Sequence, residues 1–222
     1  MLIIGHRGAA GLAPENTLKA LRAGRRAGAD ILEFDIRLTA DHIPILTHNA
    51  TIKGKRIGSH TLDELRTMTT VTTLDEVLDS FFGKILLNIE LKETRGVHTV
   101  YETVARYVKR PKDWDNILFS SFKPQALASL RRQSTAVNLG LLHHIDPFVF
   151  TRHHKSLNFA AVGFHRLTVN SLALAVAKEL GIFTYVYTVD RPDTARRLAR
   201  RGIDGIVTNY PDRIATALQA DA

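Results

Sequence analysis

The chain has 222 residues, 45% of them hydrophobic, enough for one domain over residues 1–222 that buries roughly 70% of the surface its unfolded chain would expose. It has no cysteine, which excludes disulfides, thiolate metal sites and cysteine nucleophiles. A formal net charge of +8 favours anionic partners, yet no recognition helix or aromatic-interleaved basic stripe accompanies it, so specific nucleic-acid binding is not expected.

In chain order, the first strand is expected at residues 2–5, where Leu2-Ile3-Ile4-Gly5 reads as a parallel strand buried on both faces. His6-Arg7-Gly8 follow at its carboxyl end, and a charged pair there faces a mouth and not a core. Pro14-Glu15-Asn16-Thr17 opens a helix with apolar positions Leu18, Leu21 and Ala27 and with Gly28 at its end. Asn16 and Thr17 are read as helix-start residues that satisfy free backbone donors. In the second strand, 31–36, the period of two sets Glu33 and Asp35 on one side against Leu32, Phe34 and Ile36. Carboxylates that close repel unless a proton or a cation lies between them. Residues 43–48 form an extended run too near the second strand for a crossover helix, so they are expected as a hairpin arm that carries His48 over the mouth.

Further strands are expected at 85–90, 116–121, 136–142, 159–163, 182–188 and 204–208, separated by segments of helical period. Asn88, Glu90 and Lys92 share one side of the 85–90 strand against Leu87, Ile89 and Leu91. Ser171-Leu172 opens a helix with Leu174, Val176, Ala177 and Leu180 facing inward and Gly181 as its cap. Six histidines, His42, His60, His143, His144, His153 and His154, read as surface residues, because histidine pairs without carboxylates suit hard cations poorly.

Eight strand–helix units of about 28 residues fit a (β/α)8 TIM barrel with a short hairpin insertion after the second strand. An open doubly wound sheet is the alternative, but the first strand-to-helix turn lacks the glycine fingerprint of that fold. Barrel active sites lie at the carboxyl ends of the strands, where the clusters at His6, Glu33 and Glu90 all fall. Three acidic side chains on adjacent strands suit a hard divalent cation that keeps waters and takes a phosphate oxygen.

The set His6-Arg7-Gly8, Pro14-Glu15-Asn16-Thr17, Gly28-Ala29-Asp30, Glu33-Phe34-Asp35, His48, Glu90-Leu91-Lys92, Ser120-Ser121-Phe122 and Gly202 to Pro211 resembles the glycerophosphodiester phosphodiesterases over nearly the whole chain, in order. The resemblance implies a (β/α)8 barrel that hydrolyses glycerophosphodiesters to glycerol 3-phosphate and an alcohol. It implies Glu33, Asp35 and Glu90 as ligands of Mg²⁺ or Ca²⁺, and His6 and His48 as general acid and base, without saying which is which. Arg7 and Lys92 would neutralise charge on the phosphoryl oxygens. Tyr187, where many members carry tryptophan, and Phe122 would form the apolar wall over the glycerol.

Three departures stand out: Asn49 follows His48 where the family usually has aspartate, and Asp190 and Asn209 differ from the commoner residues at the ends of the last two strands. The segment 49–74 is shorter than in many relatives, so a more open mouth and lysophospholipids as substrates form a second reading. A barrel that binds phosphodiesters without cleaving them is a third, disfavoured because every acid, base and ligand position is filled. No apolar run reaches the ~20 residues needed to span a bilayer, and no signal-length stretch precedes His6, so a cytoplasmic protein is expected. Peripheral contact with acidic lipid is expected, if anywhere, through the arginine-rich last helices.

Overall fold

The computed structural model describes residues 1–219. Its strands are β1 (Leu2–Gly5), β2 (Ile31–Leu38), β3 (Pro44–Leu46), β4 (Thr51–Ile52), β5 (Lys55–Arg56), β6 (Leu86–Leu91), β7 (Ile117–Ser121), β8 (Asn138–His143), β9 (Ala161–His165), β10 (Phe183–Tyr187) and β11 (Gly205–Thr208). β1, β2 and β6 to β11 pair in parallel, and β11 pairs back onto β1, which closes an eight-stranded barrel. The helices are α1 (Leu18–Arg26), α2 (Leu62–Met68), α3 (Leu74–Phe81), α4 (Val97–Ala105), α5 (Pro124–Gln133), α6 (Val149–Leu157), α7 (Ser171–Glu179), α8 (Pro192–Arg200) and α9 (Pro211–Gln219). The expected (β/α)8 barrel is therefore what forms, each barrel strand within two residues of its expected bounds.

Strand alternation builds two cores. Leu32, Phe34 and Ile36 of β2 and Leu87, Ile89 and Leu91 of β6 pack outward under the helices with Phe119, Phe150 and Phe164. Inside the barrel, Ile4, Ile31, Leu118, Leu142, Tyr185 and Val207 form a second apolar cluster, whose Leu142, Tyr185 and Val207 border the cavity at the carboxyl face. Other inward positions are polar: Glu33 pairs in register with Asn88, Asp35 with Glu90, and Glu90 with Ser120. This polar rim lies at the carboxyl ends of the strands, the face on which barrel active sites are built.

The hairpin insertion forms as expected. β3 runs antiparallel to the upper half of β2, Ile36 opposite Leu46 and Leu38 opposite Pro44. The segment that follows covers itself with its own apolar cluster, Ile45, Ile57, Leu62, Leu65 and Val71. Helix α2 starts with a capping box between Thr61 and Glu64.

One position of a helix face differs from expectation. Leu180 is 44% exposed, because α7 ends at Glu179 and Leu180 is its C-cap. The other expected inward positions hold, with Ala177 fully buried beside Ala173 and with Leu174 and Val176 half-buried against the core. Among the described residues no helix is long and apolar enough to cross a membrane.

Candidate active site

The turn after β1 is built to hold a carboxylate. Arg7 adopts a left-handed backbone (φ 49°) and Gly8 follows at φ 89°. This aims the Arg7 N–H at Glu33 Oε2, 2.8 Å away, while the Gly8 N–H donates to the Glu33 carbonyl at 2.9 Å. A Cβ on Gly8 would lie 2.5 Å from the Ala20 carbonyl carbon and 2.6 Å from Leu21 N, so glycine is required by both conformation and space. Gly8→Ala is expected to lower stability by about 2–4 kcal/mol, read from the urea midpoint at unchanged m-value.

Glu33, Asp35 and Glu90 each offer a carboxylate oxygen, and these oxygens lie within 4.8 Å of one another. Asp35 is braced from several sides. Asn16, itself left-handed at φ 56°, donates its amide N–H to Asp35 Oδ2 at 2.9 Å and accepts the Asp35 backbone N–H at 3.0 Å. Asn16 is thus a buried clamp on the carboxylate and not a helix-start residue; Thr17 alone caps α1, accepting the Ala20 N–H. Lys92 Nζ reaches Glu90 Oε1 at 2.5 Å and Asp35 Oδ1 at 3.2 Å, and Arg7 pairs with Asp35 at 3.3 Å and with Glu15 at 2.8 Å.

These neighbours divide the three acids. Burial pushes Asp35 up, but Lys92, the Asn16 hydrogen bond and Arg7 outweigh it and hold its carboxyl below the usual range. Burial and the adjacent Asp35 push Glu90 up against the pull of Lys92. Glu33 is pushed up furthest, by burial and by Asp35 and Glu90, with only the Arg7 backbone bond and charge opposing. Its second oxygen, Oε1, is buried and has no partner among the described residues. Three carboxylates against the two cations Arg7 and Lys92 leave the cluster short of positive charge. An all-oxygen set with one unpartnered carboxylate oxygen fits a hard divalent cation.

Both sequence-marked histidines border the same cavity, of about 380 Å³, as Arg7, Glu33, Glu90, Lys92, Phe122 and Tyr187. His6 is held by Asn209, whose Oδ1 lies 2.7 Å from His6 Nδ1. Asn209 is held in turn by Asp190: its backbone N–H donates to Oδ1 and its Nδ2 to Oδ2, both at 2.8 Å. With Nδ2 committed to a carboxylate, Asn209 offers only its oxygen, so His6 carries its proton on Nδ1 and turns a free Nε2 lone pair elsewhere. Burial lowers the His6 pKa, partly opposed by the Asn209 bond, so the ring is neutral at pH 7. His48 reaches the site from the arm. The Thr47 N–H donates to the Asp35 carbonyl, Arg37 Nε donates to the His48 carbonyl at 3.0 Å, and the ring Nδ1 lies 3.0 Å from Asn49 Oδ1.

A model of the glycerophosphoryl diester phosphodiesterase family matches residues 6–213. The chain belongs to this family. It is 27% identical to the glycerophosphodiester phosphodiesterase of Caldanaerobacter subterraneus subsp. tengcongensis, over 96% of each chain. Among solved structures, a glycerophosphodiester phosphodiesterase from Parabacteroides distasonis superposes with a TM-score of 0.85 at 26% identity, over 99% of this chain and 97% of that one. An Oleispira antarctica phosphodiesterase, in complex with sn-glycerol-3-phosphate, has the same fold (TM-score 0.88, 24% identity, 99% and 97% covered).

In this phosphodiesterase-family barrel, the far wall of the cavity is aromatic. Phe122 stacks on His144 with ring centroids 4.2 Å apart, and Tyr187 stands edge-on to Phe122 at 5.8 Å. His144 was expected at the surface; it is exposed, but it borders the cavity together with His165 and Arg166. His143, also expected outside, is buried edge-on against Phe164, with its pKa lowered to about 4 mainly by burial. Adjacent histidines at a strand end alternate sides, so only one of the pair could have stayed out. Ser121 ties strands together by donating to the Leu91 carbonyl, whereas Ser120 faces the cavity and its hydroxyl has no protein partner among the described residues. Tyr185 and Asn88 also border the cavity and were not marked from sequence as site residues. Tyr185 lies two residues before Tyr187, so strand period could have found it.

Proposed function

We propose that the protein hydrolyses glycerophosphodiesters to glycerol 3-phosphate and an alcohol, with Glu33, Asp35 and Glu90 as ligands of Mg²⁺ or Ca²⁺ and with His6 and His48 as base and acid. The observation that carries this reading is the convergence of three carboxylate oxygens within 4.8 Å and two histidines on one cavity, at the carboxyl face of a barrel of this family. The complex of the Oleispira protein with sn-glycerol-3-phosphate accords with it.

The bound cation would supply Lewis-acid polarisation of a phosphoryl oxygen. His6, neutral and with its Nδ1 proton given to Asn209, suits the base: Nε2 takes the proton of the substrate's own glycerol hydroxyl as that oxygen attacks phosphorus. The phosphorus–oxygen bond to the alcohol breaks, and the leaving oxygen takes a proton from His48 on the half-buried arm. Water then opens the cyclic phosphate with the two histidines in exchanged roles. Arg7 and Lys92, both more firmly protonated than usual because of the carboxylates around them, stay charged and bind phosphoryl oxygens. Phe122 and Tyr187 offer carbon surface to the glycerol chain. A cytoplasmic location is part of this reading; it accords with the absence, among the described residues, of a membrane-crossing helix.

The test is release of glycerol 3-phosphate from glycerophosphocholine by the purified protein. Activity is expected to vanish in EDTA and to return with Mg²⁺ or Ca²⁺, and His6→Ala to lower kcat by about 10²–10⁴-fold. Release that persists in EDTA, or an unaffected His6→Ala variant, would refute the mechanism.

A further inference from the structure

Seven large apolar side chains are counted as exposed among the described residues, and three of them exceed half exposure: Ile145 (85%), Leu167 (79%) and Leu172 (65%). All three fall in one sector. Ile145 lies two residues beyond β8 and Leu167 two beyond β9, strands that are neighbours in the barrel, and Leu172 is in the first turn of α7, which follows β9. Ile145 and Leu167 are on the carboxyl face, each next in sequence to a residue that borders the cavity, His144 and Arg166, whereas Leu172 lies lower, where its neighbour Ser171 accepts a hydrogen bond from Arg201 at the end of α8. Isolated exposed leucines need no explanation, but the two most exposed large apolar side chains on two adjacent loops, with a third in the helix that follows, do.

The charges around them select the partner. Lys123 after β7, Arg166 after β9 and Arg191 after β10 are exposed and pair with no carboxylate among the described residues. The acidic groups nearby are already engaged: Asp146 with Arg152 at 3.1 Å, and Asp190 with Thr208 and Asn209. Aliphatic tips with exposed cations on the same and neighbouring loops are complementary to an anionic bilayer, where the tips enter the interface and the cations meet lipid phosphates.

We propose that the β8–β9 sector of the mouth is a docking surface for anionic membranes, which sets the cavity against the lipid surface. The Phe122–His144 stack borders the cavity, and His144 is the residue before Ile145 in sequence. This differs from contact through the last helices: α8 carries its arginines without an exposed large apolar residue beside them. The proposal does not rest on the hydrolytic reading, since docking is measured without turnover.

The experiment is co-sedimentation with phosphatidylcholine vesicles and with phosphatidylcholine–phosphatidylglycerol vesicles at low and high salt, for the wild type and an Ile145→Ser/Leu167→Ser variant. The wild type is expected to bind only the anionic vesicles, and less at high salt. The variant should lose on the order of 10-fold or more in partitioning, while its thermal midpoint and its rate on a soluble diester without vesicles stay at wild-type values. No binding of the wild type to anionic vesicles at low salt, or equal binding by the variant, overturns the proposal. So does a dimer, seen by sedimentation equilibrium, that the variant dissolves, for then the tips cover a second copy of the chain.

Discussion

Glu33→Gln is expected to lower hydrolysis on the order of 10³-fold while raising the stability of the cation-free protein by about 1–2 kcal/mol. The two effects share one cause. Glu33 is buried against Asp35 and Glu90, its Oε1 has no partner, and its pKa lies well above the usual carboxylate value. A group whose folded pKa is raised stabilises the fold while protonated, and that contribution is lost as pH rises from the usual carboxylate value through the raised one. Across that window the folded state holds a proton that the unfolded state has released, so the slope of unfolding free energy against pH is negative. Thermal midpoints of the EDTA-treated wild type should therefore carry a falling component as pH rises above the usual carboxylate value. Glu33→Gln, isosteric and uncharged, should remove that component, and saturating Mg²⁺ or Ca²⁺ should remove it from the wild type by replacing the proton. Equal pH profiles for wild type and variant, or a variant less stable than wild type in EDTA, would contradict this account of the cluster.

What the sequence made legible follows from strand periodicity. Continuous apolar runs marked the eight strands, and alternation within them put Glu33 with Asp35 and Asn88 with Glu90 on the inner face, where the register now aligns them. The hairpin arm with His48 was legible because 43–48 follows β2 too closely for a crossover. Residues whose roles depend on left-handed backbone or on partners far along the chain were not legible. Asn16 sits in a helix-opening motif, and only its φ of 56° turns its amide onto Asp35, 19 residues away. The chain from Asp190 through Asn209 to His6 spans 203 residues and closes only when β11 pairs with β1. His143 and His144 looked alike in sequence; a strand that ends one residue later than expected buried the first and left the second at the mouth.

Asp190→Asn should lower kcat by on the order of 10²-fold with KM changed much less, although Asp190 is one residue removed from His6. The reason is directional. An aspartate in this position only accepts, so it fixes Asn209 with Nδ2 toward itself and Oδ1 toward His6 Nδ1. An asparagine at 190 can accept or donate, so the Asn209 amide is free to flip, offer its NH₂ to His6 and move the ring proton to Nε2, where it blocks the base. Exchanging both residues, Asp190→Asn with Asn209→Asp, separates this from a packing defect. The carboxylate then touches His6 directly, again demands a proton on Nδ1, and raises the His6 pKa by stabilising the imidazolium. The double variant should recover kcat relative to Asp190→Asn, and the acidic limb of its kcat/KM profile should move to higher pH, since His6 must lose a proton it now holds more tightly. If Asp190→Asn alone is fully active, or if the exchanged pair is no more active than the single variant, the orientation of His6 does not depend on this chain of hydrogen bonds.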